Sequence, residues 1–251
     1  MTVTSKFRTI RVNYGENRAV VTLCRPEVRN AIDAAMVSEL HEVCADLESE
    51  PRILIVVGDG TIFAAGADLR EMRERGREDA LRGINSTLFD RIAALPLPTV
   101  AAVNGPAIGA GAELAYACDF RIASTAARFA NPEVTLGIMP AAGACSRLPA
   151  LVGVAVAREM LLAGRVLGAD EALVAGLVSE VVQSEELMNA THALTDRISR
   201  GTATALRLTK LALAGLTSVH RNFDDVAQAV LFETVEKRDR MTEFLERRVP
   251  R

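Results

Sequence analysis

Thr99-Val-Ala-Ala-Val103 runs into Asn104-Gly-Pro-Ala-Ile-Gly-Ala-Gly111 and then into Ala112-Glu-Leu-Ala-Tyr-Ala117. The five apolar residues lie between Pro98 and Asn104-Gly105, which suits a short strand buried on both faces. The small, turn-forming residues that follow make a tight connection. Residues 112–117 then read as a helix. An earlier segment has the same plan. Ile53-Leu-Ile-Val-Val57 is wholly apolar and ends at Gly58-Asp-Gly60. It leads through Phe63-Ala-Ala-Gly-Ala-Asp68 into a short charged helix over residues 69–75. The strand, turn and helix unit recurs without sequence identity between its copies.

Outward from these two segments the alternation continues. Residues 9–12 and 19–23 are β-branched runs around Tyr14-Gly-Glu-Asn17, which predicts a hairpin. Asp33 is placed to cap a helix whose apolar positions are Met36, Val37, Leu40, Val43, Cys44 and Leu47. Residues 81–95 predict a helix that stops before Pro96-Leu-Pro98. A strand at 119–123, helices near 154–163 and 169–175, and a strand at 177–182 follow. Strands alternating with helices imply an α/β fold with largely parallel pairing.

The pattern changes near Asp196, after which only helical periodicity is visible, so we divide the chain into 1–195 and 196–251. Glu233/Lys237, Glu236/Arg240 and Glu243/Arg247 stand at i,i+4 spacing. Met241, Phe244 and Leu245 give this charged segment one apolar side. A terminal helix with little core of its own docks on a neighbour, which predicts an oligomer.

The chain has 251 residues, 49% hydrophobic and 24% charged, enough for one large domain with a sizeable core. With 29 basic against 32 acidic residues there is no basic excess for nucleic acid. The absence of Trp and the 4% aromatic content argue against base-stacking platforms. No uninterrupted apolar run approaches the about 18 residues of a membrane span, and the first residues lack the apolar core of a secretory signal. We expect a cytoplasmic protein with no membrane partner. Cys24, Cys44, Cys118 and Cys145 form no C-x-x-C pair and are expected to be reduced, mostly buried thiols. His41, His192 and His220 lack a ligand spacing, so no metal site is expected.

Three segments carry possible chemistry. In Phe63-Ala-Ala-Gly-Ala-Asp68, small side chains let a ligand approach the backbone. The N–H groups opening the next helix carry partial positive charge. They suit a phosphate, a carboxylate or a developing oxyanion; an ordinary strand-to-helix connection has the same composition. Gly109-Ala-Gly-Ala-Glu113 follows the same logic and adds a carboxylate in an apolar helix. Burial there raises a carboxyl pKa toward a range useful for proton transfer, although structural ion pairs also bury glutamates. In Asn131-Pro-Glu-Val134, Glu133 is either a first-turn helix glutamate or a second proton carrier. Together, two N–H-bearing turns and two carboxylates make a reaction site. The N–H pair stabilises charge on a carbonyl oxygen, and the carboxylates move protons and water.

These segments resemble the crotonase superfamily, the enoyl-CoA hydratase/isomerase family. Phe63-Ala-Ala-Gly-Ala-Asp-Leu-Arg-Glu-Met72 is similar to its first oxyanion-hole motif. Ala101-Ala-Val-Asn-Gly-Pro-Ala-Ile-Gly-Ala-Gly-Ala-Glu-Leu114 is similar to its second. Phe129-Ala-Asn-Pro-Glu-Val-Thr-Leu-Gly-Ile-Met-Pro140 is similar to the segment with its second catalytic glutamate. The resemblance spans nearly the whole chain. It implies a crotonase-like repeated β-β-α spiral over 1–195 and a helical region over 196–251 that serves trimer contact, in a homotrimer or a homohexamer. It implies hydration of a 2-trans-enoyl-CoA to a 3-hydroxyacyl-CoA, with no cofactor beyond the coenzyme A of the substrate. The backbone N–H groups of Ala67 and Ala110 are then the oxyanion hole. Glu113 and Glu133 hold one water, with Glu133 as the main acid and base. Ala64, Ala65, Gly66, Asp68, Leu69 and Gly109 border the coenzyme A and thioester, and Arg25 and Arg70 face its polar parts.

The sequence departs from the family pattern at Ala110, where a glycine is common, and in Pro140-Ala-Ala-Gly-Ala-Cys-Ser-Arg-Leu148, a loop that lines the acyl pocket in the family. Four rival readings follow, one of them thioester hydrolysis or carbon–carbon bond cleavage by another crotonase-family acyl-CoA enzyme with a differently decorated site. An enoyl-CoA isomerase needs no activated water and often keeps only the carboxylate equivalent to Glu133. A nucleotide-dependent oxidoreductase would need a complete G-x-G-x-x-G after Val57, but Phe63 takes the third glycine position. A catalytically inactive acyl-CoA-binding protein would not need both glutamates.

Overall fold

The computed structural model describes residues 2–4, 6–214, 226 and 228–247, without the side chains of 2–4 and 243–247. The chain opens with three antiparallel strands, β1 (Thr2–Thr4), β2 (Ile10–Tyr14) and β3 (Arg18–Leu23). Helix α1 (Ala34–Ser49) is capped by Asp33, whose carboxylate accepts the Met36 N–H at 2.8 Å. Its six expected apolar positions are all buried. Strand β4 (Ile53–Gly58) leads to helices α2 (Leu69–Glu74), α3 (Arg77–Arg82) and α4 (Ile84–Ala93). Next come β5 (Thr99–Val103), β6 (Pro106–Ile108), α5 (Ala110–Ala117), β7 (Phe120–Ser124) and β8 (Arg128–Ala130). Helix α6 (Ala144–Ala163), β9 (Leu167–Gly168), α7 (Ala169–Val174), β10 (Glu180–Val182) and α8 (Leu187–Ile198) complete this part.

The strands form two sheets among the described residues. The larger has the order β1-β2-β3-β4-β5-β7-β10 and is parallel from β3 onward. After each of the inner strands the chain steps into a second layer before its helix. Ile32 bridges Ala67, Ala64 bridges Ala107, β6 pairs in parallel with β8, and β8 pairs antiparallel with β9. Each turn therefore supplies a strand to the large sheet, a few residues to the small layer, and a helix that packs outside. This is the repeated β-β-α spiral. Phe63, Phe89 and Phe129 are fully buried in one core.

Arg121 on β7 locks two turns together. Its guanidinium is buried and donates to the carbonyls of Leu177 (2.6 Å), Ala115 (3.2 Å) and Cys118 (2.6 Å). Ala115 and Cys118 lie at the negative end of α5, where a cation is favoured. Arg121→Leu removes all three of these buried, charge-assisted hydrogen bonds. We expect a loss of about 3 kcal/mol of stability, read as a lower urea midpoint with an unchanged slope.

The elements differ from expectation in instructive places. The helix expected over 81–95 is two helices, because Gly83 sits in the left-handed region (φ +60°) and ends α3. Helix α6 starts ten residues before the expected 154 and turns at Gly153 (φ +77°). The strand expected over 177–182 shrinks to β10, because the N–H groups of Leu177 and Val178 turn back to the Ala172 carbonyl. Cys24 is partly buried, Cys44 and Cys118 are buried, and Cys145 is exposed, against the general expectation of buried thiols.

The chain separates into two compact units, Met1–Thr195 and Asp196–Arg251. The second contains α9 (Ala203–Ala214) and α10 (Val235–Arg247). In it Lys237 lies 4.5 Å over the Phe232 ring, and Arg240 donates to the Arg200 carbonyl. His220 and the side chains of Glu243, Phe244, Leu245 and Arg247 lie outside the described residues. No helix among the described residues is long and apolar enough to cross a membrane.

Candidate active site

The first turn is built around Gly66 (φ +107°). The Ile32 N–H donates to the Gly66 carbonyl at 2.8 Å, and the Asp68 N–H donates to the Ile32 carbonyl at 2.9 Å. Successive peptide groups of an extended segment point to opposite sides. The Ala67 N–H is therefore directed away from Ile32, toward the side on which Ala64 bridges Ala107. Asp68 caps α2 by accepting from the Arg70 N–H at 3.0 Å. Burial pushes the Asp68 carboxyl up, but that N–H and Arg25 outweigh it and hold it below its ordinary value.

The second turn presents the same group from the other side. The Ile108 N–H donates to the Ala64 carbonyl at 2.9 Å, and the Gly109 N–H to the Ala130 carbonyl at 2.8 Å. Gly109 adopts φ +52°, ψ −123°, a conformation that favours glycine, and Ala110 becomes the first residue of α5. A helix start leaves its N–H without an intrahelical partner. Among the described residues, neither the Ala67 N–H nor the Ala110 N–H has a protein acceptor. The two turns touch. A Cβ on Gly66 falls 3.1 Å from the Ile108 carbonyl oxygen, and one on Gly111 only 2.3 Å from that of Ala64. The small residues of both motifs are thus required by backbone-to-backbone packing.

Both glutamates lie beside these turns and are buried. Glu113, in the first turn of α5, accepts from the N–H groups of Ala142 (2.8 Å) and Ala144 (3.0 Å) through Oε1. Burial pushes its pKa from 4.5 up to about 7, with Glu133 adding to the rise and the two N–H groups and Arg147 opposing it. Glu133 opens a 3-10 turn, Glu133–Leu136. Its Oε1 accepts from the Asn131 amide at 3.4 Å, and a Cβ on Gly109 would lie 3.1 Å from the same oxygen. Its Oε2 is buried with no hydrogen-bond partner. Burial pushes the Glu133 carboxyl up as well. Val134, Leu136, Ile138 and Met139, just beyond it, are exposed apolar side chains.

The raised Glu113 carboxyl has a consequence for stability. Between pH 4.5 and about 7 the folded chain keeps a proton that the unfolded chain has released. The folded state binds more protons, so its stability falls as pH rises through this window. We expect Glu113→Gln to flatten that slope, seen in urea midpoints compared at about pH 5 and about pH 7.

The structure brings Ala64, Gly66, Ala67, Gly109, Ala110, Glu113 and Glu133 together and leaves other candidates at the margin. Ala65 donates its N–H to the Arg29 carbonyl. Leu69 and Arg70 are exposed on α2. Arg25 is engaged inside the fold. It donates to the Ala31 carbonyl (2.6 Å) and lies 3.2 Å from both Asp33 and Asp68. It ties the caps of α1 and α2 together, so the structure gives it a bracing position for the Gly66 turn. Asn131, Tyr116 and Arg147 were not singled out by the sequence. Nothing in residue type or spacing marks them; only the folded geometry does. Two surface grooves of 470 and 450 Å³ lie elsewhere, around Asp170 and Glu171, and are lined by neither Glu113 nor Glu133. Among the described residues no cluster of His, Cys, Asp or Glu is arranged for a metal.

Two unbonded N–H groups beside two buried carboxyls make a site for a carbonyl compound whose oxygen gains charge while protons move. Comparison with known proteins narrows this class. The sequence model of the Enoyl-CoA hydratase/isomerase family matches residues 14–251. The short-chain-enoyl-CoA hydratase of Clostridium acetobutylicum is 38% identical over 241 residues, 92% of each chain. The crotonyl-CoA hydratase of Syntrophomonas wolfei is 38% identical over 251 residues, 96% of each chain. The crystal structure of an enoyl-CoA hydratase from Bacillus anthracis superposes with a TM-score of 0.91 at 32% identity, covering 97% of this chain and 98% of that one. The chain belongs to the enoyl-CoA hydratase/isomerase family.

Proposed function

We propose that the protein is an enoyl-CoA hydratase that adds water across the double bond of a 2-trans-enoyl-CoA. The observation that carries this reading is the pairing of two acceptorless N–H groups with two buried glutamates. The thioester oxygen accepts from the N–H groups of Ala67 and Ala110. This draws electron density from C3 and supports enolate character as the reaction proceeds. Glu113 and Glu133 hold one water. The water oxygen bonds to C3 while Glu113 accepts the proton it releases, and Glu133 delivers a proton to C2. The pair begins and ends with one proton between them. Each raises the other's cost of ionisation, so they titrate as a coupled unit.

These residues supply every proton and dipole that hydration requires, so we propose no cofactor beyond the coenzyme A of the substrate. Ala64, Gly66, Asp68 and Leu69 border the thioester end of the coenzyme A, and Arg70, exposed on α2, faces its phosphates. Val134, Leu136, Ile138 and Met139 offer an apolar surface for the acyl chain. We place the protein in the cytoplasm, where its free cysteines stay reduced. We propose a homotrimer or a dimer of trimers. Exposed Val226, Val230, Phe232 and Val235 in the helical unit support self-association.

The test is the loss of enone absorbance with crotonyl-CoA and longer 2-enoyl-CoAs. Rapid loss with formation of 3-hydroxyacyl-CoA is expected. Tight binding of every ester without turnover would remove the hydratase reading and favour a binding role. Movement of a 3-enoyl double bond without hydration would favour the isomerase.

A further inference from the structure

Three buried side chains stand in line behind the site. The Tyr116 hydroxyl, on α5, donates to Asn131 Oδ1 at 3.1 Å. Asn131 Nδ2 donates to Glu133 Oε1 at 3.4 Å. Tyr116 is 3%, Asn131 1% and Glu133 7% exposed, so bulk solvent has little access to either bond. Glu133 Oε2 has no partner.

An amide can serve two such neighbours in one orientation only. A carboxylate accepts, so it must meet the amide nitrogen. The amide oxygen then faces Tyr116, and the phenol is the donor it needs. Without the phenol, the amide oxygen loses its donor and Glu133 alone holds the orientation of the amide. A flipped amide would set its oxygen against Glu133. Tyr116 also sits one helical turn after Glu113 on α5, the helix that begins at the Ala110 N–H. The orientation of Asn131 is thus set by the same rigid element that carries the rest of the site.

We propose that Tyr116 and Asn131 are a positioning relay that engages Glu133 Oε1 and so makes Oε2 the oxygen that exchanges the proton with substrate. Neither residue touches the reacting atoms. The identity of the transferred proton rests on the hydratase reading above; the fixed orientation of Glu133 does not. The other ionisable groups around this carboxyl are Glu113 from α5 and Cys145 from α6, and both remain in the variants below.

The test uses Tyr116→Phe, which removes one oxygen, and Asn131→Leu, which removes the amide at similar volume, with thermal melts to verify folding. The Asn131 donor favours the ionised form of Glu133, so its loss is expected to raise the carboxyl's titration midpoint. That midpoint is followed by carbon NMR of glutamate labelled at the carboxyl, assigned with Glu133→Gln, and needs no turnover. We expect an upward shift in both variants. With crotonyl-CoA we expect kcat to fall about tenfold, with KM within about twofold of wild type. Asn131→Gln, which keeps an amide, is expected to recover part of kcat. A fall in kcat with the titration unmoved would reduce both residues to packing and overturn the relay. A shifted titration with kcat unchanged would overturn the assignment of Oε2. If the wild type hydrates nothing, the hydratase reading fails, and the titration alone still decides whether the relay sets Glu133.

Discussion

Glu133→Gln is expected to lower kcat for crotonyl-CoA hydration by about 10³-fold while KM changes little. Gln is nearly isosteric, so the 3-10 turn and its neighbours have no reason to move. Its Oε1 still accepts from Asn131. What disappears is the proton on the other oxygen, because an amide cannot cycle between acid and base near neutral pH. The thioester still enters and its oxygen still finds two N–H donors, which is why binding survives. Stopped assays of enone absorbance separate kcat from KM directly. A variant with more than a tenth of wild-type kcat would show that Glu113 alone suffices and that Glu133 is a spectator.

Ala110→Pro probes a donor that side-chain substitution cannot reach. Ala110 is the first residue of α5, where proline is favoured and its fixed φ suits a helix. Gly109 before it has no Cβ to clash with the ring. Proline removes the N–H and sets a methylene at the position of the thioester oxygen. We expect about 10²–10³-fold loss in kcat/KM, the usual cost of one oxyanion donor. The thermal midpoint is expected to stay close to that of wild type. Near-normal turnover would mean that the Ala110 N–H does not meet the substrate carbonyl. A collapsed melt would be a separate matter, and Ala110→Gly then serves as the control, since it keeps the N–H.

The large parallel sheet was legible because Ile53-Leu-Ile-Val-Val57 and Thr99-Val-Ala-Ala-Val103 need no alternation to be recognised: both faces are covered. The small layer was not. Strands β6, β8 and β9 have two or three residues each, and β6 begins with Pro106. No periodicity develops over such lengths, so residues 106–108 read as part of a turn. The layer exists because backbone groups on adjacent turns face one another, a relation that only the closed spiral creates. The same holds for the site. Glycines and buried glutamates leave a trace in the sequence, whereas Tyr116 and Asn131 look like ordinary core residues until their side chains meet. Arg25 shows the converse. A cation near a motif invites assignment to a ligand, yet two aspartates within 3.2 Å engage it first.

The two N–H groups at Ala142 and Ala144 that grip Glu113 belong to the entrance of α6, within the segment where this sequence departs from its family's pattern. On the proposed hydratase reading, this segment would line the acyl pocket while it also holds Glu113, so a change made for one task would affect the other. Retuning this enzyme toward bulkier acyl groups through residues 140–145 would disturb turnover along with selectivity, and directed evolution there should recover second-site changes near Glu113. The exposed Val134, Leu136, Ile138 and Met139 offer a second surface for changing preference.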